Sequence, residues 1–263
     1  MEEERFCRIE QMVGEEGLAR LRGAFVAVVG LGAVGSYAVE GLARSGIGRL
    51  RLVDFDVIRP SNINRQLYAL DSTVGQKKHE VARRRVLDIN PRCHVESLDC
   101  FAHADTAEAI LAGPPDLVVD AIDSVRPKVE FLAACVTREM KVISSMGAAL
   151  RTDPTRIRAG RLSEVHHCPL AAQVRRKLRR KGIAPDIPCV YSTERVCNLP
   201  NSAVLQDAVE EDYHQRGRRR ATLGSLPAVT GMFGLIIANL AVLHIAGRIS
   251  QGRPSTDFED LLA

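Results

Sequence analysis

Chemistry in this chain concentrates in the stretch VDFDVIRPSNINRQLYALDSTVGQKKHE, residues 53–80, which gathers Asp54, Asp56, Asn62, Arg65, Gln66, Lys77 and Lys78 within 25 positions. Just upstream, Gly30, Gly32 and Gly35 form a G-x-G-x-x-G turn. In such a turn the first glycine permits the tight bend, the second lets a phosphate approach the backbone, and the third allows close helix–strand packing. Asp54 follows about 20 residues after the turn, the usual place for an acceptor of a ribose hydroxyl. A nicotinamide enzyme needs one carboxylate there, whereas this chain adds Asp56. A triphosphate with magnesium accounts for the second carboxylate more simply, because hard cations favour carboxylate oxygens. Asp123, at the end of a later apolar run where ligands of open α/β sheets bind, strengthens this reading; Asp120, read as a capping or solvated residue, carries less weight. Arg65, Lys77 and Lys78 supply positive charge of the kind that stabilises transferring phosphoryl and nucleotidyl groups. The stretch therefore reads as handling a polyphosphate rather than a hydride.

These side chains need a scaffold that places them along one edge. AFVAVVG is a short β-branched run ending at glycine, the pattern of a buried parallel strand. A helix over 34–45, with Val34, Ala38 and Leu42 inward, follows it. Further strands are expected at GRLRLVDFD, CHVESLDCF, DLVVDAID and KVISSMG, with helices at 76–90, 105–112 and 127–139 between them. The alternation predicts an α/β fold, a Rossmann-like, doubly wound, mostly parallel sheet with right-handed crossovers. If Asp54 and Asp56 lie on a strand, both face the same way. One or two short helices lead in. After about residue 150 a C-terminal helical and irregular extension follows: a short strand at RIRAGRL, a basic helix at 169–181, a loop to 200 and a last apolar helix.

At these residues the sequence resembles the adenylating superfamily of ubiquitin-activating-like enzymes (the ThiF, MoeB and HesA group). The matching motifs are GLGAVG (30–35), DFD (54–56), SNINRQ (61–66), VGQKK (74–78) and DAID (120–123), in order over residues 5–150. The resemblance implies ATP contacts at Gly30, Gly32, Gly35, Asp54, Asp56, Asn62, Arg65, Gln66 and Lys78. It implies a magnesium ligand at Asp123 and catalytic roles for Arg65, Lys78 and Asp123. RFCR (5–8) is similar to a segment that lends an arginine to the partner subunit, which makes Arg8 a catalytic candidate in trans and implies a homodimer. The chain lacks the two C-x-x-C zinc pairs of members that activate carrier proteins. DAIDSVRPK, CPLAAQVRRKLRRKG, PCVYSTE and PAVTGMFG instead look like the tRNA threonylcarbamoyladenosine dehydratases, with a departure between Val196 and Leu223, which is shorter and more charged. The implied organisation is a single adenylating domain over 1–263, with an ATP-binding core at about 22–150 and a substrate and dimer region at about 151–263. The implied reaction is ATP- and magnesium-dependent cyclisation of the threonylcarbamoyl group on tRNA, releasing AMP and pyrophosphate.

Composition narrows the partners. No tryptophan and 4% aromatic residues argue against a stacking platform for single-stranded nucleic acid. A net charge of +4 permits an anionic partner. RRKLRRK (175–181) and RGRRR (216–220) are the densest basic runs and are the candidates for tRNA backbone contact. Seven cysteines, with no C-x-x-C and no secretory leader, predict a reduced cytoplasmic setting. His166, His167 and Cys168 read as a polar loop rather than a metal site, since adjacent residues converge poorly on one ion. FGLIIANLAVLHIAG (233–247) reads as a buried core or dimer helix, because Asn239 and His244 interrupt it and a span wants about 20 apolar residues. Two other classes stay open. One is an enzyme adenylating the C-terminal glycine of a ubiquitin-like or sulfur-carrier protein, with Cys189 as acceptor or simply as an inert buried thiol; the other is a nicotinamide oxidoreductase. A sulfur-transfer protein is a further partner the sequence leaves open.

Overall fold

The computed structural model describes residues 2–196 and 223–247. In chain order the elements are α1 (Glu2–Arg5), α2 (Cys7–Gly23), β1 (Phe25–Val29), α3 (Gly35–Arg44), β2 (Arg49–Val53), α4 (Lys78–Ile89), β3 (His94–Leu98) and α5 (Ala107–Leu111). They continue as β4 (Leu117–Asp120), α6 (Val125–Thr137), β5 (Val142–Ser145), β6 (Ile157–Arg161), α7 (Pro169–Arg180), β7 (Pro188–Ser192) and α8 (Pro227–Ala246). Among the described residues the strands form one sheet in the order β3-β2-β1-β4-β5-β7-β6, parallel except for β6. The central strands β1, β4 and β5 are buried along their length, as parallel strands covered on both faces must be.

Two apolar cores cover the faces. One joins Leu18 and Leu21 of α2, Ala38 and Leu42 of α3, Val86 of α4, and Phe233, Ile237 and Ala241 of α8. The other joins Ile110 of α5, Phe131 and Leu132 of α6, and Val174 and Leu178 of α7. The chain order reverses between β1 and β4, so their carboxyl ends open the crevice in which sheets of this kind take ligands.

Two details differ from the sequence reading. The expected loop to residue 200 contains β7, which pairs in parallel with β5 and antiparallel with β6 and so extends the sheet. The strand carrying Asp54 and Asp56 ends at Val53, so the two carboxylates lie beyond its pleat and are free to diverge. The short lead-in helices are present as expected, as α1 and α2, and α2 breaks at Gly14, where φ is 77°. Helix α8 has a mean hydropathy of 2.0 over its most apolar 18 residues, long and apolar enough to cross a membrane by length and composition. It packs into the first core instead, and its buried residues include Val229, Phe233, Ile237 and Ala241.

Candidate active site

The glycine turn is built against the end of β4. Gly30 has φ +90°, and a Cβ there would lie 2.8 Å from the carbonyl oxygen of Ala121. A Cβ on Gly35 would lie 1.8 Å from the carbonyl oxygen of Gly30. Only glycine fits either position, and α3 consequently begins directly at the crevice, the kind of helix N-terminus that suits an anion. Gly32 is different, since the nearest atom to an added Cβ is the Gln66 Nε2, 3.8 Å away. The open approach to its backbone is the feature a phosphate requires.

Asp54 is buried, and its two carboxylate oxygens serve different neighbours. Oδ2 accepts the Leu31 amide at 2.7 Å and Oδ1 accepts the Asp56 amide at 2.8 Å. Burial pushes its carboxyl above the usual range, against the pull of Lys78 and of the two amides. Asp56 turns the other way: its Oδ2 receives Lys78 Nζ at 2.9 Å, and its carbonyl oxygen receives the Lys78 amide at 3.0 Å. Lys78 is buried at the first position of α4, so the pair holds its ammonium at the crevice. Lys77 is directed elsewhere, to Asp99 at 3.0 Å and to the Phe55 carbonyl oxygen at 3.2 Å.

The segment after Arg59 folds over the start of α3. Asn62 is buried, with Oδ1 accepting the Arg59 amide at 3.0 Å, while Gln66 is buried beside it. Ser36 Oγ accepts the Leu67 amide at 3.2 Å, and Tyr68 donates to the Ser36 carbonyl oxygen at 3.2 Å. Arg65 is half-buried, and its Nη1 donates to the Ser61 carbonyl oxygen at 2.9 Å and to Asn64 Oδ1 at 2.8 Å. Asp123 is exposed just past β4, on the turn that backs onto Gly30. Gly30, Gly32, Gly35, Asp54, Asp56, Asn62, Gln66, Lys78 and Asp123 are thus all built around one crevice edge, with Arg65 on the same segment as Asn62 and Gln66. Arg8 stands apart, exposed on α2, while Phe6 beside it is buried. Among the described residues no cluster of three or more His, Cys, Asp or Glu could hold a metal ion alone. A magnesium ion bound with ATP needs fewer protein ligands, since one or two carboxylates plus phosphates and waters suffice, and exposed Asp123 fits that requirement.

Several side chains fare differently from their sequence readings. Asp120 is neither a cap at the surface nor solvated. It is fully buried, paired with Lys128 at 2.7 Å, and accepts from Ser144 Oγ at 2.6 Å. Lys128 is the residue that sequence reasoning missed, because a lysine on a helix is ordinarily a solvated cation. Arg175 does not belong to a free cationic face, since its Nη1 donates to the carbonyl oxygens of Leu162 at 3.2 Å and Val165 at 2.5 Å. The exposed cations of α7 are Arg176, Arg179 and Arg180, opposite the buried Ala171, Val174 and Leu178. Cys168 caps α7, its Sγ accepting the Ala171 amide, and His166 and His167 are exposed beside it. Cys189 is fully buried on β7, and burial pushes its thiol well above the ordinary range, the state of an inert thiol. The 216–220 basic run lies outside the described residues.

The model of the ThiF family matches residues 6–259. The tRNA threonylcarbamoyladenosine dehydratase of Bacillus subtilis (strain 168) is 46% identical over 189 residues, covering 72% of this chain and 74% of that protein. Two crystal structures of Escherichia coli tRNA N6-threonylcarbamoyladenosine dehydratase, TcdA, are similar over 95% of this chain and 97% of theirs. The one with AMP has a TM-score of 0.82 at 31% identity, and the one with ATP a TM-score of 0.81 at 32% identity. The chain belongs to the ThiF family.

Proposed function

We propose that this chain is an ATP-dependent tRNA threonylcarbamoyladenosine dehydratase. The observation that carries the reading is the assembly of Asp54, Asp56 and Lys78 onto the glycine turn, where a nicotinamide site would need a lone ribose acceptor. Likeness to dehydratases over nearly the whole chain, including structures holding ATP and AMP, supports it. In the first step the substrate carboxylate attacks the α-phosphate of ATP; a P–O bond forms and pyrophosphate leaves. Intramolecular attack on the resulting acyl carbon then closes the ring and expels AMP, a net loss of one water. Adenylation turns a poor leaving oxygen into a good one, so the protein's part is orientation and stabilisation of charge.

In this reading the amides at the start of α3 and the backbone of Gly32 receive the phosphates, and Asp54 accepts from the ribose. Lys78, oriented by Asp56, and Arg65 balance the charge growing on the phosphates. Asp123 would hold a magnesium ion, which when bound neutralises phosphate charge. Arg176, Arg179 and Arg180 on α7 are the surface proposed for the tRNA backbone. A homodimer is part of the proposal, with Arg8 acting in trans, and the exposed apolar side chains Met12, Ile63, Leu226, Met232 and Leu235 offer surface for it. Two of these neighbourhoods are joined, since Asn64 Nδ2 donates to the Ser225 carbonyl oxygen at 3.2 Å. Calorimetric titration tests the nucleotide assignment: ATP with magnesium is expected to bind and NAD is not, and Asp123→Asn is expected to fold normally while losing most turnover. Tight NAD binding with none for ATP would overturn the reading.

A further inference from the structure

A fully buried ion pair lies immediately behind the turn that carries Asp123, and the chemistry above makes no use of it. Asp120, the last residue of β4, and Lys128, in the second turn of α6, are both inaccessible to solvent, with Nζ 2.7 Å from Oδ2. The same two side chains grip one residue between them. Asp120 Oδ1 accepts the Ile122 amide at 3.0 Å, and Lys128 Nζ donates to the Ile122 carbonyl oxygen at 2.9 Å. Ser144 on the neighbouring strand β5 fixes the carboxylate from the far side, its Oγ donating to Asp120 Oδ2 at 2.6 Å. The peptide unit just before Asp123 is therefore tied through a charged hydrogen bond, and the preceding residue, Ala121, packs against Gly30.

Burying two charges completely is a weak way to stabilise a fold, since desolvation offsets most of their attraction and apolar residues of similar volume commonly do as well. What the pair supplies that apolar packing cannot is directional contact with both backbone groups of Ile122. We propose that Asp120 and Lys128 are positioning residues, a buried clasp that fixes the turn bearing Asp123 against the glycine turn, so that carboxylate and phosphates meet in register. This rests on the adenylation reading, in which Asp123 serves the nucleotide. Misplacement of about 1 Å in such an arrangement costs on the order of a hundredfold in rate.

The test is the double variant Asp120→Asn with Lys128→Met, which removes both charges and nearly conserves volume. It is expected to melt within a few degrees of the parent. Pyrophosphate release should show kcat lowered about a hundredfold with KM for ATP little changed, and the magnesium concentration for half-maximal activity should rise. Amide exchange at Ile122 in the ligand-free protein should quicken at least about tenfold, a change independent of metal and turnover. Parental kcat, magnesium dependence and exchange in a folded double variant would overturn the proposal. If the double variant does not fold, Ser144→Ala, which leaves the ion pair intact, should still quicken Ile122 exchange and lower kcat; no change in either would overturn it. Asp123→Asn in the same assay separates the two claims. Full activity there would remove the adenylation role of Asp123, whereas loss there beside an active double variant would remove the clasp alone.

Discussion

Single residues in this chain divide sharply between those the fold demands and those the ligand demands, and the glycine turn makes the division measurable. A methyl at position 35 would meet the Gly30 carbonyl oxygen at 1.8 Å, so Gly35→Ala is expected to destabilise the protein by at least about 3 kcal/mol. A methyl at position 32 has 3.8 Å to its nearest neighbour, so Gly32→Ala should leave thermal unfolding almost unchanged. ATP affinity should nevertheless fall about tenfold, roughly 1.4 kcal/mol, because the backbone no longer admits the phosphate. Thermal melts and calorimetry on the two variants check this; equal melting with equal affinity would separate the turn from the nucleotide. The glycines and Asp54 were legible in the sequence because their spacing follows from strand–turn–helix geometry, and Asp56 and Lys78 because they cluster just behind that turn. Lys128 was not legible, because nothing local in SVRPK distinguishes a lysine turned into the core from one in water. Its meaning depends on Asp120 and Ile122, placed by a different element.

At the scale of elements, the periodic runs gave β1 to β6 and the flanking helices close to where the structure has them. Strand β7 was hidden because it opens on Pro188, spans five residues and alternates poorly. Its partners on both sides, β5 and β6, supply the ladder that the local sequence does not advertise. The basic run on α7 was visible as charge but not as a face. Only the fold reveals that Arg175 turns back to the Leu162 and Val165 carbonyl oxygens while Arg176, Arg179 and Arg180 stay in solvent. Changing those three to Gln is therefore expected to weaken tRNA binding and to flatten its salt dependence by up to about 2 in the slope of log K against log salt, at about 0.7 per lost phosphate contact. ATP affinity should hold, since the triphosphate site is proposed at the glycine turn. Filter-binding titrations across a salt series check this, and an unchanged slope would make α7 a solvated face only.

At the scale of the whole molecule, Arg8 lies exposed on α2 rather than among the residues gathered at the crevice between β1 and β4. If a second subunit brings Arg8 to the first subunit's phosphates, mixing Arg8→Ala chains with Lys78→Ala chains should restore partial activity. One site of each mixed dimer then combines an intact arginine with an intact pocket. No recovery in demonstrably mixed dimers would leave Arg8 acting in its own subunit, or not at all. The most direct measurement incubates the purified chain with ATP, magnesium and tRNA bearing threonylcarbamoyladenosine, then digests the tRNA and weighs its nucleosides. The modified nucleoside is expected to lose the mass of one water while AMP and pyrophosphate appear in equal amounts, and Lys78→Ala is expected to abolish all three. ATP turnover driven by a small carrier protein, with the tRNA nucleoside unchanged in mass, would contradict the dehydratase reading.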